Sequence, residues 1–231
     1  MTDSPIAVDL ARTSVRALNE RLHRLPPDTN ERLWRIVNPQ GAHAVAAGLT
    51  VPVQIEIDGH VGYYCAGMNE RATVTVHGHA GTGLAENIMS GVVRVTGNVS
   101  QSAAASGRGG LVVIEGDASA RCGISMKGVD IVVGGSIGHM SCFMGQAGAL
   151  VVCGDAGADL GDSLYEAEIF VAGTVTSLGA DCIEKPMTPA NATRVAALLT
   201  RAGIAADAAH FRHYGSARRL YHFHVDHAAA Y

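Results

Sequence analysis

The sequence predicts an all-β solenoid: a right-handed parallel β-helix of about seven 19-residue coils, with short helical extensions at both ends. Three observations predict it. Glycine recurs at Gly59, Gly78, Gly97, Gly116, Gly135, Gly154 and Gly173, each 19 residues after the last. Two residues before each glycine stands a β-branched residue, in order Ile57, Val76, Val95, Ile114, Val133, Val152 and Val171, the type that strands favour. The composition agrees: 48% of residues are hydrophobic but only 5% aromatic, and 28 of 231 are glycine. Such a core is built from aliphatic side chains, and so much glycine implies many tight turns.

Within each coil the columns have distinct tasks. Four residues before the anchors lie Ile55, Val74, Val93, Val112, Ile131, Leu150 and Ile169. Positions two apart on a strand share a face, so the minus-four and minus-two columns point inward. The anchor glycine then turns the chain. Small residues follow at plus two and plus seven; the latter run Ala66, Ala85, Ala104, Gly123, Cys142, Gly161 and Ala180 and suit a narrow interior. One repeat cannot bury its own face, but stacked repeats can. Seven coils at roughly 4.8 Å each give a length of about 30 Å, and parallel crossovers favour right-handed winding. Two other solenoids fail on spacing. Hexapeptide acyltransferases repeat every six residues, and calcium-binding rolls need a recurrent GGxGxD. Asp155, Asp159 and Asp162 recur as a set in no other coil.

The organisation is an extension over 1–50, the β-helix over 51–185, and a helix with an arm over 186–231. Ile6–Leu10 suits a strand. A helix is expected over Thr13–Leu25, with Leu18, Leu22 and Leu25 on one stripe, Thr13 as N-cap, and Pro26 and Pro27 as its stop. A second begins at Thr188 and Pro189, carries Val195, Leu198, Leu199 and Ala202 on one stripe, and ends at Gly203. The final stretch, RHYGSARRLYHFHVDHAAAY, shows no helical stripe and reads as an extended arm. Terminal segments of this kind suit the capping of exposed strand edges.

Several functional classes are disfavoured. A net charge of -4 gives no electrostatic case for nucleic acid. No signal-peptide h-region and no run of 18 apolar residues stands out, so a cytoplasmic chain with no membrane contact is expected. GRGG at Gly107–Gly110 matches neither a P-loop nor a dinucleotide fingerprint, and it precedes a strand rather than a helix. Gly110 aligns with Gly91 and Gly148, turns between coils. Cys65, Cys122, Cys142, Cys153 and Cys182 include no CxxC, which suits buried reduced thiols. Cys122 and Cys142 fall in adjacent coils. His60 and His79 open a polar column that continues Asn98, Asp117, Ser136, Asp155, Thr174; it reads as a solvated ladder. His210, His213, His222, His224 and His227 with Asp226 crowd the tail, where His222-x-His224 has a spacing compatible with a metal ion. No catalytic, cofactor or metal residues are assigned. The outward minus-three column reads Glu56, Thr75, Arg94, then Val113, Val132, Val151, Phe170. Its apolar half must be covered, either by the C-terminal helix or by a partner chain.

GHVGYYCAGMN, GRGGLVVIEGDASARCGISMKG, GGSIGHMSCFMGQAG, GDSLYEAEIFVAG and SLGADC resemble, in order, the GXGXG domain at the C-terminal end of the glutamate synthase large subunit. The likeness spans roughly residues 50–185. A related domain occurs in one of the subunits of formylmethanofuran dehydrogenase. As a separate chain of this length, the sequence is most similar to the family of β-helix subunits of N-methylglutamate synthase. That resemblance implies a non-catalytic scaffold. Its partners would be two further chains, one amidotransferase-like and one FMN synthase-like, in a larger hetero-oligomer. The synthase-like chain would hold FMN and an iron–sulfur cluster. The reaction would convert methylamine and glutamate to N-methylglutamate and ammonia. The family's catalytic residues have no counterparts here: the chain begins Met1-Thr2 rather than with a nucleophilic Cys. The alternatives are the equivalent subunit of a glutamate synthase-like or formylmethanofuran dehydrogenase-like complex, or a β-helix enzyme acting alone, for which Asp155, Asp159 and Asp162 are the acidic candidates.

Overall fold

A computed structural model describes residues 4–218. One sheet of 11 strands runs the length of the molecule. Strands β3 (Gln54–Asp58), β4 (Thr73–His77), β5 (Val92–Val95), β6 (Leu111–Ile114), β7 (Lys127–Val133), β8 (Ala147–Val152) and β9 (Glu168–Val171) stack in parallel. Their register is the sequence period: Ile57 pairs with Val76, Val76 with Val95, and so on to Val152 with Val171. A second parallel line links Val61, Ala80, Val99, Ala118, Ile137, Ala156 and Val175, the plus-two column. Residues of the minus-four and minus-two columns are fully buried. Each strand alone has one apolar face; stacking turns these faces into a continuous aliphatic core.

The anchor glycines are needed for a reason other than the turn. Of the seven, only Gly59 has a φ in the left-handed region, at 131°. The others are required by close approach. A Cβ at Gly154 would lie 2.6 Å from Ser136 Oγ, and one at Gly78 would lie 2.7 Å from His60 Nδ1. By contrast Gly110, with φ 83°, does make a left-handed turn between coils.

The small plus-seven residues also have a second cause. Ala66, Ala85, Ala104, Gly123, Cys142 and Gly161 all have φ between 52° and 69°. Left-handed residues recur two positions to either side, as at Ser102, Ala104 and Ser106. Among the described residues, none of the 20 non-glycine residues with positive φ is β-branched, because a branched Cβ clashes there. Each such residue costs roughly 1–2 kcal/mol. Hydrogen bonds between coils hold the conformation, as where Ala104 donates to the Leu84 carbonyl at 2.8 Å.

The ladder extends beyond the anchors. Strand β2 (Leu33–Val37) pairs in parallel with β3, Ile36 against Ile57, and β1 (Ile6–Asp9) pairs in parallel with β2. The spacing there is 21 residues, so the 19-residue period does not reach it. Asn38 stands where the anchor would be, at φ 56°, a conformation that asparagine tolerates. Helix α1 (Val15–His23) lies between β1 and β2 and buries Leu18 and Leu22. It begins one residue later than the expected cap. Ser14 caps it, its Oγ accepting from Ala17 N–H at 3.2 Å, while Thr13 N–H donates to the Asp9 carbonyl.

At the other end, β10 (Cys182–Lys185) leads into helix α2 (Pro189–Ala202). Thr188 caps α2 in a box with Asn191, and Gly203 closes it at φ 63°. The chain then returns as β11 (Arg212–Ser216), inserted antiparallel between β9 and β10. The extended arm expected of the tail is therefore a sheet strand over its first residues; His222, His224, Asp226 and His227 lie outside the described residues.

Ala104 tests the left-handed column. Ala104→Val should destabilise the chain by about 3 kcal/mol, from backbone strain and overpacking together. Ala104→Gly should be nearly neutral, because relief of strain offsets the lost methyl. Urea unfolding followed by circular dichroism reads both.

Candidate interaction surfaces

Three faces are candidates for function: the polar ladder, the apolar stripe and the exposed turns. The ladder is a structural device. His60 Nδ1 accepts the backbone N–H of His79 at 2.9 Å, and His79 Nδ1 accepts that of Asn98 at 2.8 Å. Asn98 Oδ1 accepts from Asp117 N–H, Asp117 Oδ1 from Ser136, Ser136 Oγ from Asp155, and Asp155 Oδ1 from Thr174, at 2.7–3.0 Å. Both imidazoles therefore carry an unprotonated Nδ1, and their rings stack at 4.8 Å. These accepting atoms are the ones that a Cβ on the next anchor glycine would strike. Backbone and side-chain hydrogen bonds from Thr174 hold the Asp155 carboxyl below its ordinary range. Asp159 accepts from Ser177 Oγ, and Asp162 from Ser163 Oγ and Ala180 N–H. All three carboxylates thus hold coils together.

The apolar stripe is covered by the chain itself. Val113, Val132, Val151 and Phe170 are at most 1% exposed. They pack in a second core with Val195, Leu198, Leu199 and Ala202 of α2 and with Phe211. This corrects the partner-interface alternative for these four residues: the stripe of α2 matches theirs and leaves no face for another chain. Charged groups pin the helix at both ends. Arg194 bonds Glu168 and Asp130, and Arg94 reaches from β5 to Glu115 and the Ala202 carbonyl.

All five thiols are free; Cys65, Cys122, Cys142 and Cys182 are buried and Cys153 is half-buried. Burial raises Cys65 and Cys122 to about 12 and Cys182 to about 11. Cys142 is raised further by burial and then by Cys122 and Cys182; its Sγ lies 3.5 Å from Met126 Sδ. Thiols held protonated are neither nucleophiles nor ready metal ligands. Among the described residues no three His, Cys, Asp or Glu converge as a metal site, and no described helix is long and apolar enough to cross a membrane.

The turns carry a pattern that the glycine period does not reveal. Tyr63, Tyr64, Met68 and Met89 are each about half exposed, at 48–52%. Tyr63 is held by a stack on His43 at 4.5 Å. A second group holds Met140, Met144 and Tyr165, the last two 41% and 47% exposed. Tyr64 and Met140, Met68 and Met144, and Met89 and Tyr165 are each four 19-residue periods apart. The two groups thus occupy the same three columns, about 19 Å apart along the axis. Tyr64, Met68, Met140 and Met144 also have φ of 52–57°. The matching positions between them are small or polar: Gly83, Ser102 and Arg121 in the first column, Asn87, Ser106 and Ser125 in the second, and Arg108, Lys127 and Gln146 in the third. Large side chains in two registered groups, all but Met140 exposed and four of them on left-handed backbone, make these turns candidate contact sites. The signal was readable as columns at plus five, plus nine and plus eleven, but side-chain size varies there and hides the period.

The chain is 58% identical over 225 residues to Protein GlxC of Rhizobium meliloti (strain 1021), a match covering 97% of this chain and 99% of that protein. No protein-family profile matches it, and no solved structure does so significantly.

Two outcomes test these faces. Val151→Asp should destabilise the isolated chain by about 3 kcal/mol or more, since it buries an unpaired charge under α2; an unchanged melting temperature would show that the stripe is free. Asp155 has a depressed folded-state pKa, so its contribution is complete above the ordinary carboxylate range. It is lost as pH falls through the lowered value. Asp155→Asn, which keeps an acceptor, should therefore flatten the acid limb of stability measured against pH.

Proposed function

This chain belongs to the family of Protein GlxC, and on that premise we propose that it is the non-catalytic β-helix subunit of a three-subunit, FMN-dependent N-methylglutamate synthase. In this reading it braces two catalytic chains, one amidotransferase-like and one synthase-like, and the latter holds FMN and an iron–sulfur cluster. The complex joins methylamine to glutamate and releases ammonia.

The observation that carries the reading is the pair of Tyr/Met clusters. All but Met89 lie within the sequence blocks that resemble the glutamate synthase domain: Tyr63, Tyr64 and Met68 in GHVGYYCAGMN, Met140 and Met144 in GGSIGHMSCFMGQAG, and Tyr165 in GDSLYEAEIFVAG. A solenoid whose carboxylates and thiols serve its own packing, yet which exposes two sets of interface-type side chains, suits a brace between two bodies. The resemblance supplies the identity of those bodies and of the reaction.

The test is co-expression with both partner types. The three chains should co-purify, and the assembly should form N-methylglutamate from methylamine and glutamate. Tyr64→Ser combined with Met68→Ser should weaken capture of one partner by about tenfold or more, about 1.4 kcal/mol. Met144→Ser with Tyr165→Ser should act on the other, and neither pair should lower the melting temperature of the isolated chain. Stoichiometric flavin on this chain alone, or an assembly that uses ammonia but not methylamine, would overturn the proposal.

A further inference from the structure

A polar cavity of about 250 Å³ opens at the C-terminal end of the solenoid, where β9, β10 and β11 meet. Tyr165, Glu168, Lys185, His213, Ser216 and Arg218 help to line it. His213 is 7% exposed, and its ring stacks on Phe170 with centroids 5.0 Å apart. Its Nδ1 lies 3.4 Å from the Pro186 carbonyl. A carbonyl only accepts, so Nδ1 carries the proton, and in the neutral ring Nε2 is a bare acceptor. That buried Nε2 makes no hydrogen bond. The nearest charged group, Glu168 Oε1 at 3.6 Å, is another acceptor. With the ring neutral, two acceptors face one space and call for a donor with several hydrogens.

The charges around them are unevenly matched. Glu168 is held by Arg194 and Asn191, and Arg218 by Asp181. Lys185 forms no ion pair among the described residues. It lies directly opposite His213 in the antiparallel register, which puts the two Cβ atoms about 5 Å apart on one face. Its stem crosses Gly215, where a Cβ would meet Nζ at 3.3 Å. A bare ammonium would satisfy the two acceptors but would sit beside this cation. A bare anion would satisfy Lys185 but would face the two acceptors.

We propose that this cavity binds a small zwitterion of the free amino-acid class. The ammonium donates to His213 Nε2 and Glu168 Oε1, and the carboxylate rests against Lys185, with the Ser216 hydroxyl as a neighbouring donor. Binding involves no covalent step. The site lies on the outward side of the sheet and borders the second Tyr/Met turn through Tyr165, but the groups that hold the zwitterion, His213, Glu168 and Lys185, belong to no Tyr/Met turn.

The test uses the full chain labelled with 15N-histidine, with the His213 signal assigned by its loss in His213→Gln. Glycine is the probe, and acetate and ethylammonium are its separated halves. Glycine should move the Nε2 resonance saturably, and each half should bind about tenfold or more weakly, the 1.4 kcal/mol step of a decade. Lys185→Ala should weaken glycine by a similar factor and leave the melting temperature unchanged. A resonance that stays fixed in large excess of glycine would show that the cavity holds water only. Acetate equal to glycine would make it an anion site, and ethylammonium equal to glycine an amine site. Undiminished glycine binding by Lys185→Ala would remove the carboxylate subsite. Each of these results overturns the proposal.

Discussion

The contact on which the solenoid depends is the one between an anchor glycine and the side chain beneath it. A polar residue follows each anchor glycine, and in the first six coils its side-chain acceptor takes the backbone N–H of the equivalent residue one coil on. That acceptor occupies the space that a Cβ on the next anchor would need. The two columns are therefore one device. Glycine admits the acceptor, and the acceptor satisfies an amide that the corner would otherwise leave to solvent. This explains why the residue after the anchor varies between His, Asn, Asp and Ser yet always offers a short-range acceptor. It also explains why the anchor never varies within the seven coils.

Three sets of bonds then tie each coil to the next: the strand ladder, the plus-two bridges and this side-chain ladder. Their joint effect is to hold the left-handed columns. Among the described residues, twenty non-glycine residues with positive φ carry a summed cost of some tens of kcal/mol at roughly 1–2 kcal/mol each. No single turn would persist alone. Stacking makes them cooperative, since strained residues bond to neighbouring coils, Ser102 N–H to the Ala120 carbonyl of the next and Ala104 N–H to the Leu84 carbonyl of the one before, as in other one-dimensional repeats.

Much of this was legible because the period is strict where packing is strict. The minus-four, minus-two and plus-two columns named the core and its register directly. The coil at β2 was not legible: two added residues shift its phase, and Asn38 replaces the glycine. Strand β11 was not legible either, because RHYGS carries no 19-residue partner and takes its place by pairing antiparallel with β9 and β10. The cover of Val113, Val132, Val151 and Phe170 could be posed but not decided, since a stripe on α2 and a stripe on a partner have the same pattern. Arg94, which bonds both Glu115 and the end of α2, marks where the covered half of the sheet begins.

That division bears on how the molecule presents itself. The outward face of β2 to β4 is polar and open: Arg35 pairs with Asp58 and the His77 ring hydrogen-bonds Glu56, each at 2.6 Å, around a shallow cavity of about 290 Å³. The face of β5 to β9 lies partly under α2. What remains exposed and apolar is mainly on the turns, and the coils fix its geometry. Because Tyr64 and Met140, Met68 and Met144, and Met89 and Tyr165 share columns, the two clusters have the same orientation and differ by a translation of four coils. A flexible linker could join two bodies at any distance; a stacked solenoid sets the distance by an integer number of coils. Adding or removing one coil would move the clusters by about 4.8 Å, more than a well-packed interface can absorb. In the proposed brace, the number of coils between the clusters would set the spacing of the two bodies, as the length of a strut does.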